Sequence, residues 1–370
     1  MTAAVASPAQ PRAAASRWNA ILDRQGSVRA LAVMRIAIGI VTLIHLRPFL
    51  DAAAAGVAYD DHFWEPFLPW LPHLPGTAWF VLLRVGACGA VLMTVGLWTR
   101  LATATTFAIV AGNLLLSQTH FHNNRTFLAI LLFGLALLPV GRVLSVDAWR
   151  RRRRGLPPVA DVARLWPLWL LRAQVCLVYL ASGTSKLVDP DWFGGLVLWD
   201  RMVRHRHVLD PTPLPPWAID PLMSRWLYYG VAPAAVLTEL FLGVGLWLGR
   251  TRLAAIWVAI AFHVAIEITA SVQVFSLAAI SALAIWVTPS TRDRIVVVDG
   301  RVAAALIRAG DWFGRFRVEQ RGTPTPLAVI DRDGERRERG PAVVLLLSRL
   351  PLSFPIAAPL LPFTRRRPHQ

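Results

Sequence analysis

Apolar stretches close to the ~20 residues that cross a bilayer recur along most of this chain and confine it to a helical membrane architecture. A bilayer core offers no water to backbone N–H and C=O groups, so a spanning segment must satisfy its own, and an isolated apolar run does so as an α-helix. Eight spans are expected, at about 30–47, 77–97, 101–118, 124–141, 166–187, 228–248, 252–270 and 273–289. The expected fold class is an all-α polytopic membrane protein of about eight transmembrane helices, followed by a small α/β cytoplasmic tail. A content of 55% hydrophobic against 16% charged residues excludes a soluble class. Residues 1–28 are rich in Ala, Pro and Ser and show no cleavable pattern, so they read as a disordered cytoplasmic tail ahead of an uncleaved first span.

The arginines orient the spans. Arg12, Arg17, Arg24 and Arg29 precede the first, Arg150 to Arg154 follow the fourth, and the segment after the last is arginine-rich, which places all three in the cytoplasm. Between Pro48 and Phe80 there are acids (Asp51, Asp60, Asp61, Glu65) and no Lys or Arg, so that loop belongs outside. Arg201, Arg204, Arg206 and Arg225 dissent. The Trp192, Phe193, Trp199 and Trp217 around them mark an interfacial or re-entrant segment, where the charge rule weakens. Both termini are thus expected in the cytoplasm of a cell inner membrane.

The net charge of +17 then reports topology and attraction to anionic lipid, and membrane lipid is the expected partner. No zinc-finger spacing or aromatic-interleaved RNA motif suggests nucleic acid. Cys88 and Cys176 fall inside spans as small apolar side chains. The pair His120 and His122 lacks further ligands at useful spacing, so no metal is expected.

Of 39 basic side chains only one is lysine, Lys186, at the end of the fifth span. An arginine stays charged, whereas a desolvated lysine beside other cations can lose its proton and act as a base. Along the fifth span Arg172, Cys176, Tyr179, Gly183 and Lys186 recur at spacings of three and four and share one face. Arg172 and Lys186 are roughly 21 Å apart along the axis, so they serve different depths. Arg35 falls at the inner level with Arg172. At the outer level fall Arg84, Asn123, Asn124, Arg125 and Glu267, with His263 one turn deeper than Glu267 and Glu239 at a similar mid-membrane depth. Convergence of Arg84, Arg125, Lys186 and Glu267 from four helices would form a polar cavity opening outward. Two readings of Lys186 stay open: a base whose pKa is lowered by neighbouring guanidinium groups, or the cation of a structural ion pair with Glu267.

The run from Leu171-Arg172-Ala173-Gln174 through Tyr179, Gly183, Lys186, Leu187, Asp191 and Trp192 resembles the vitamin K-dependent gamma-carboxylase-like (HTTM) membrane family. Asn123-Asn124-Arg125, the Ser145-Val146-Asp147 segment, Phe262-His263 and Phe275-Ser276 agree with it in order and spacing. The resemblance covers about residues 29–290 and implies a quinol-dependent membrane enzyme. In it Lys186 is the base that deprotonates a reduced vitamin K-type quinone such as menaquinol, and His263 is a second catalytic residue. Arg84, Asn124, Arg125, Tyr179 and Glu267 would line the cofactor. Two departures stand out: Arg125 replaces a histidine of the carboxylase branch, and the large domain that docks carboxylase propeptides is missing, so carboxylation of a protein substrate is not expected. The alternative is a non-enzymatic membrane protein that binds lipid or a partner.

Residues 291–370 read separately. Ile295 to Val298 suggests a strand ending at Asp299-Gly300, residues 301–309 a helix, and Pro326 to Ile330 with Asp333-Gly334 a strand and hairpin. This order resembles the DCC family of thioredoxin-like thiol oxidoreductases. Its DGxCxxC cysteines fall on Val302 and Ala305, so the tail is expected to be a shortened, redox-dead remnant that serves as a packing or protein-docking element.

Overall fold

The computed structural model describes residues 20, 22–57, 59, 65–70, 73–204, 215–270, 274–287, 294–320 and 326–364, and the statements below concern those residues. Most of residues 1–28, and Asp60, Asp61 and Arg206, lie outside them. The chain divides into two compact units.

The larger unit comprises residues 34–158 and 167–286 and is helical. Its helices are α1 (Arg29–Ala54, entering from the other unit), α2 (Gly76–Val95), α3 (Thr99–Leu115), α4 (Asn123–Leu137), α5 (Val146–Arg153), α6 (Trp166–Leu187), α7 (Pro190–Phe193), α8 (Leu196–Arg204), α9 (Arg225–Gly245), α10 (Arg252–Ala270) and α11 (Val274–Ala282), the last continued by a 3₁₀ turn Leu283–Trp286. Each of the eight expected spans contains a helix, although those at 101–118, 124–141 and 273–289 are shorter than the span. By length and apolarity, α1, α2 and α9 are the three that could cross a membrane among the described residues, and Asn123–Leu137 and Val274–Trp286 are shorter apolar helices.

Hydroxyl residues inside these helices are made tolerable by bonding back to their own backbone. Thr42 donates to Ile38 O, Thr94 to Ala90 O and Thr103 to Thr99 O, each at 2.7 Å. Helices α6 and α9 approach closely across glycines. A Cβ on Gly243 would lie 2.5 Å from Leu180 Cγ, and one on Gly183 2.9 Å from Leu240 Cδ2 and 3.3 Å from Glu239 Cβ. Small residues at a crossing let backbones come close enough for short polar side chains to meet.

Two arginines fasten helix ends. Arg35 of α1 is fully buried and donates to Val140 O at 2.9 Å, Leu144 O at 2.6 Å and Thr94 O at 3.5 Å, tying α1 to the ends of α2 and α4. Arg172 of α6 donates from Nε and Nη2 to Ile285 O, at 3.1 and 2.6 Å, and stacks over Trp286. Both are structural cations paired with carbonyl oxygens, as helix ends with unsatisfied carbonyls invite.

Asp147 caps α3 from a different element. Its carboxylate accepts the Trp98 N–H at 3.0 Å, the Thr99 N–H at 2.9 Å and the Thr99 hydroxyl at 2.7 Å. Burial pushes this carboxyl up, but the hydrogen bonds from Thr99 and Trp98, helped by Arg150, hold it below the ordinary value of 3.8. A carboxyl whose folded pKa is depressed stabilises the fold above its unfolded pKa and loses that contribution as pH falls through the folded value. Asp147→Ala is expected to cost about 1–2 kcal/mol near neutral pH. Denaturation followed down to ~pH 2 should show that gap closing below the ordinary carboxylate range. A gap independent of pH would contradict the cap.

The smaller unit draws on residues 1–33, 159–166 and 287–370. Strand β1 (Gln25–Ser27) pairs antiparallel with β2 (Val162–Arg164), Gly26 opposite Ala163. Three-residue strands have no readable period, which is why the sequence shows neither. The rest is a four-stranded sheet built from β3 (Arg294–Val298), β4 (Phe316–Gln320), β5 (Leu327–Ile330) and β6 (Arg336–Glu338), in the order β4-β3-β5-β6. Helix α12 (Arg301–Gly310) makes the parallel β3–β4 crossover, and β5 and β6 form an antiparallel hairpin. Helix α13 (Arg339–Leu347) follows. Val296, Val298, Ile307, Phe316, Val329 and Leu345 fill one core between the sheet and these two helices.

Candidate functional site

The single lysine sits at the last turn of α6, facing α9. Its Nζ donates to Glu239 Oε1 and Oε2, both at 2.6 Å, and to Ser182 Oγ at 2.7 Å. Ser182 in turn donates to Glu239 Oε1 at 3.1 Å. The ring of Trp192 on α7 lies 4.8 Å from the nitrogen, at cation–π distance. The Lys186 and Glu239 side chains are 16% and 8% exposed, so the pair is largely withdrawn from solvent.

An ammonium has three donors and no acceptor. All three N–H directions of Lys186 have an oxygen within 2.7 Å, and the nearest charge is a carboxylate.

Two turns back along the same face of α6, Tyr179 Oη lies 2.6 Å from His263 Nε2 of α10. Tyr179 is 3% exposed and His263 fully buried, its ring against Phe262 and Phe275. His263 Nδ1 and the hydroxyl of Ser276, next to Phe275 on α11, are buried with no hydrogen-bond partner. These orphaned atoms are unspent hydrogen-bonding capacity inside the helical unit, and buried polar groups are normally satisfied.

The other expected site residues go elsewhere. Arg84 is exposed and lies over Phe80 of its own helix, 4.0 Å from the ring centroid. Arg125 donates to His120 O at 2.9 Å and lies over Phe49 at 4.7 Å. It joins an aromatic cluster in which Tyr59 meets His120 and Trp79 and donates to Asn113 Oδ1 at 2.8 Å. Asn124 directs its backbone N–H to His122 Nδ1 at the start of α4. Glu267 is partly buried on α10, and the ionic partner of Lys186 is Glu239 instead. Lys186 is thus paired with Glu239 rather than Glu267, while Arg84 lies over Phe80 and Arg125 reaches His120 O and Phe49. Of the expected set, Tyr179 and His263 are brought into contact, with Lys186 on the same helix face.

Glu239 and Ser182 are the partners that sequence reasoning missed. Ser182 is four residues before Lys186, a legible spacing. Glu239 was visible as an acid inside an apolar span but was assigned a deeper level. Helix side chains point toward the N-terminus of their helix, so Nζ of Lys186 reaches back along α6, about a turn deeper than its Cα.

An ion pair sealed between apolar helices, with a buried phenol–imidazole contact beyond it, defines a helical membrane protein with a polar interior. The profile of the HTTM domain matches residues 24–290, most of the chain, and the protein belongs to the HTTM family. No solved structure matches it.

Proposed function

We propose that the protein is a non-enzymatic, lipid- or partner-binding membrane protein in which Lys186 and Glu239 pin α6 to α9. The observation that carries this reading is the bidentate 2.6 Å contact, which together with the 2.7 Å bond to Ser182 Oγ occupies every donor of the ammonium. The pinned helices cross the bilayer with the other six expected spans, both termini lying in the cytoplasm of a cell inner membrane. The eight helical segments and the arginine distribution support that topology. The test is a charge-preserving change: in mild detergent, Lys186→Arg should melt close to the parent protein. A loss as large as that of Lys186→Met would remove the reading.

A second reading is favoured by the orphaned His263 Nδ1 and Ser276 Oγ and by the resemblance to the gamma-carboxylase-like branch. In it the interior takes up a menaquinol-type quinol, a group that supplies redox chemistry when bound. His263 and Ser276 fit an oxygen-bearing head group, since each retains unspent hydrogen-bonding capacity. Lys186, saturated by Glu239 and Ser182, does not fit a free base, so no proton step is assigned to it. Mass spectrometry of lipids copurifying in mild detergent separates the readings. Stoichiometric quinone, lost in His263→Leu, is the outcome expected of the second and would displace the first.

The tail supports a thioredoxin-like, DCC-related origin through its β3-α12-β4 crossover, antiparallel hairpin and closing helix. Val302, 74% exposed, and the exposed Ala305 stand on α12 where that family carries cysteines. With no thiol there, the tail serves as a docking element rather than a redox centre.

A further inference from the structure

Among the described residues, the smaller unit collects more positive charge at one end of its sheet than the acids there neutralise. Arg294 opens β3 and is in register with Phe316 of β4, so Arg315 lies beside it at the same edge. Ile295 pairs with Ile330 of β5, which brings Asp331 to the other side of Arg294. Arg349 arrives from just beyond the end of α13.

The acids here are already committed. Asp331 holds the Arg294 Nε at 2.8 Å and also accepts the Arg332 N–H. Asp311 spends both oxygens on the backbone N–H groups of Arg315 and Phe316, each at 2.8 Å. Glu335 is taken by Arg337 at 2.8 Å. Arg315 Nε and Arg349 Nε are left buried without a hydrogen-bond partner.

Mutual repulsion registers on the same two groups. Burial first, and then the guanidinium groups of Arg349 and Arg294, push Arg315 down to about 10 despite Asp311. Arg349 is lowered by burial and by Arg294, against an opposing pull from Asp331. Like charges gathered in a partly buried site repel one another unless an anion sits among them. Arg35 and Arg172 of the helical unit direct their guanidinium groups to carbonyl oxygens.

We propose that this edge of the sheet, between Arg294, Arg315 and Arg349, is a binding site for a phosphate-bearing anion. Guanidinium forks match phosphate oxygens two at a time, which suits them to this chemistry over a point charge. The ligand is either a phospholipid head group or a free phosphate. Directly after Arg349 the chain exposes Leu352, Ile356 and Phe363, at 74%, 79% and 85%, an apolar set that could lie on acyl chains beside a bound head group.

The test uses the full chain in lipid discs, with hydrogen exchange read on peptides from β3, β4 and α13. In neutral phosphatidylcholine discs, inorganic phosphate at about ten times its half-saturating concentration should slow exchange through unfolding about tenfold. Chloride at matched ionic strength should not. Slowing in phosphatidylglycerol discs without added phosphate assigns the site to a lipid head group, and slowing only by added phosphate assigns it to a free anion.

Arg315→Gln and Arg349→Gln should abolish either response. They should also exchange more slowly than the parent protein in neutral discs without phosphate, because a repulsive charge has been removed. Absence of slowing by both anion sources, equal slowing by chloride, or a full phosphate response in both variants would overturn the proposal.

Discussion

Lys186→Met should destabilise the helical unit by about 3–5 kcal/mol, among the largest effects of any single change in this protein. The substitution keeps most of the side-chain volume and removes the charge, so the loss is electrostatic rather than a packing defect. It strands the Glu239 carboxylate, 8% exposed, with only the Ser182 hydroxyl as a donor. Glu239→Leu should be comparably costly by stranding the ammonium. The double variant Lys186→Met/Glu239→Leu should recover much of the loss, since two apolar side chains replace a pair that was expensive to desolvate. Unfolding midpoints of the four proteins in one detergent measure the cycle. Additive losses with no recovery would show that the two side chains are not coupled, and the pin between α6 and α9 would have to be abandoned.

Arg35→Met is expected to cost about 3 kcal/mol or more. The guanidinium is fully buried and serves the carbonyls of Val140, Leu144 and Thr94 at once. Methionine fills part of the volume but offers none of them a donor, and each buried carbonyl left unsatisfied carries a desolvation penalty. Arg35→Lys should fall between, because one compact ammonium cannot span the same three acceptors. Hydrogen exchange across residues 138–146 should rise in Arg35→Met before the rest of the helical unit responds. Unchanged protection there would mean that the arginine does not hold this turn.

The two experiments probe opposite uses of a buried cation. Arg35 answers backbone carbonyls, which cannot be titrated or mutated away. Lys186 answers a single carboxylate, so its pair can be removed as a unit. That difference explains why the lysine is the more informative position for function: a cation paired with one side chain can be released by changing one side chain.

The helical character of the apolar segments was legible because such a run has one economical way to satisfy its backbone, and three of the described helices reach bilayer length and apolarity. The strand, helix and hairpin of the tail were legible for a similar local reason, with Gly334 at φ 81° completing the turn expected at Asp333-Gly334. The singular status of Lys186 could be read from composition, and its face on α6 from spacing. Axial distance along one helix separated Arg172 from Lys186, and the two bond different partners, Ile285 O and Glu239.

What the chain could not disclose in one dimension was the rotation and depth at which its helices meet. A shared depth does not make a shared site, since Arg84 turned to Phe80 on its own helix and Arg125 to Phe49. Glu239 became the partner of Lys186 only because Gly183 and Gly243 let α6 and α9 come close, and because the lysine stem runs back along its helix. Local chemistry set which segments are helices and which residues carry charge. Packing between helices decided which charge is neutralised by which neighbour, because that choice depends on a few ångströms of approach that no spacing along the chain encodes.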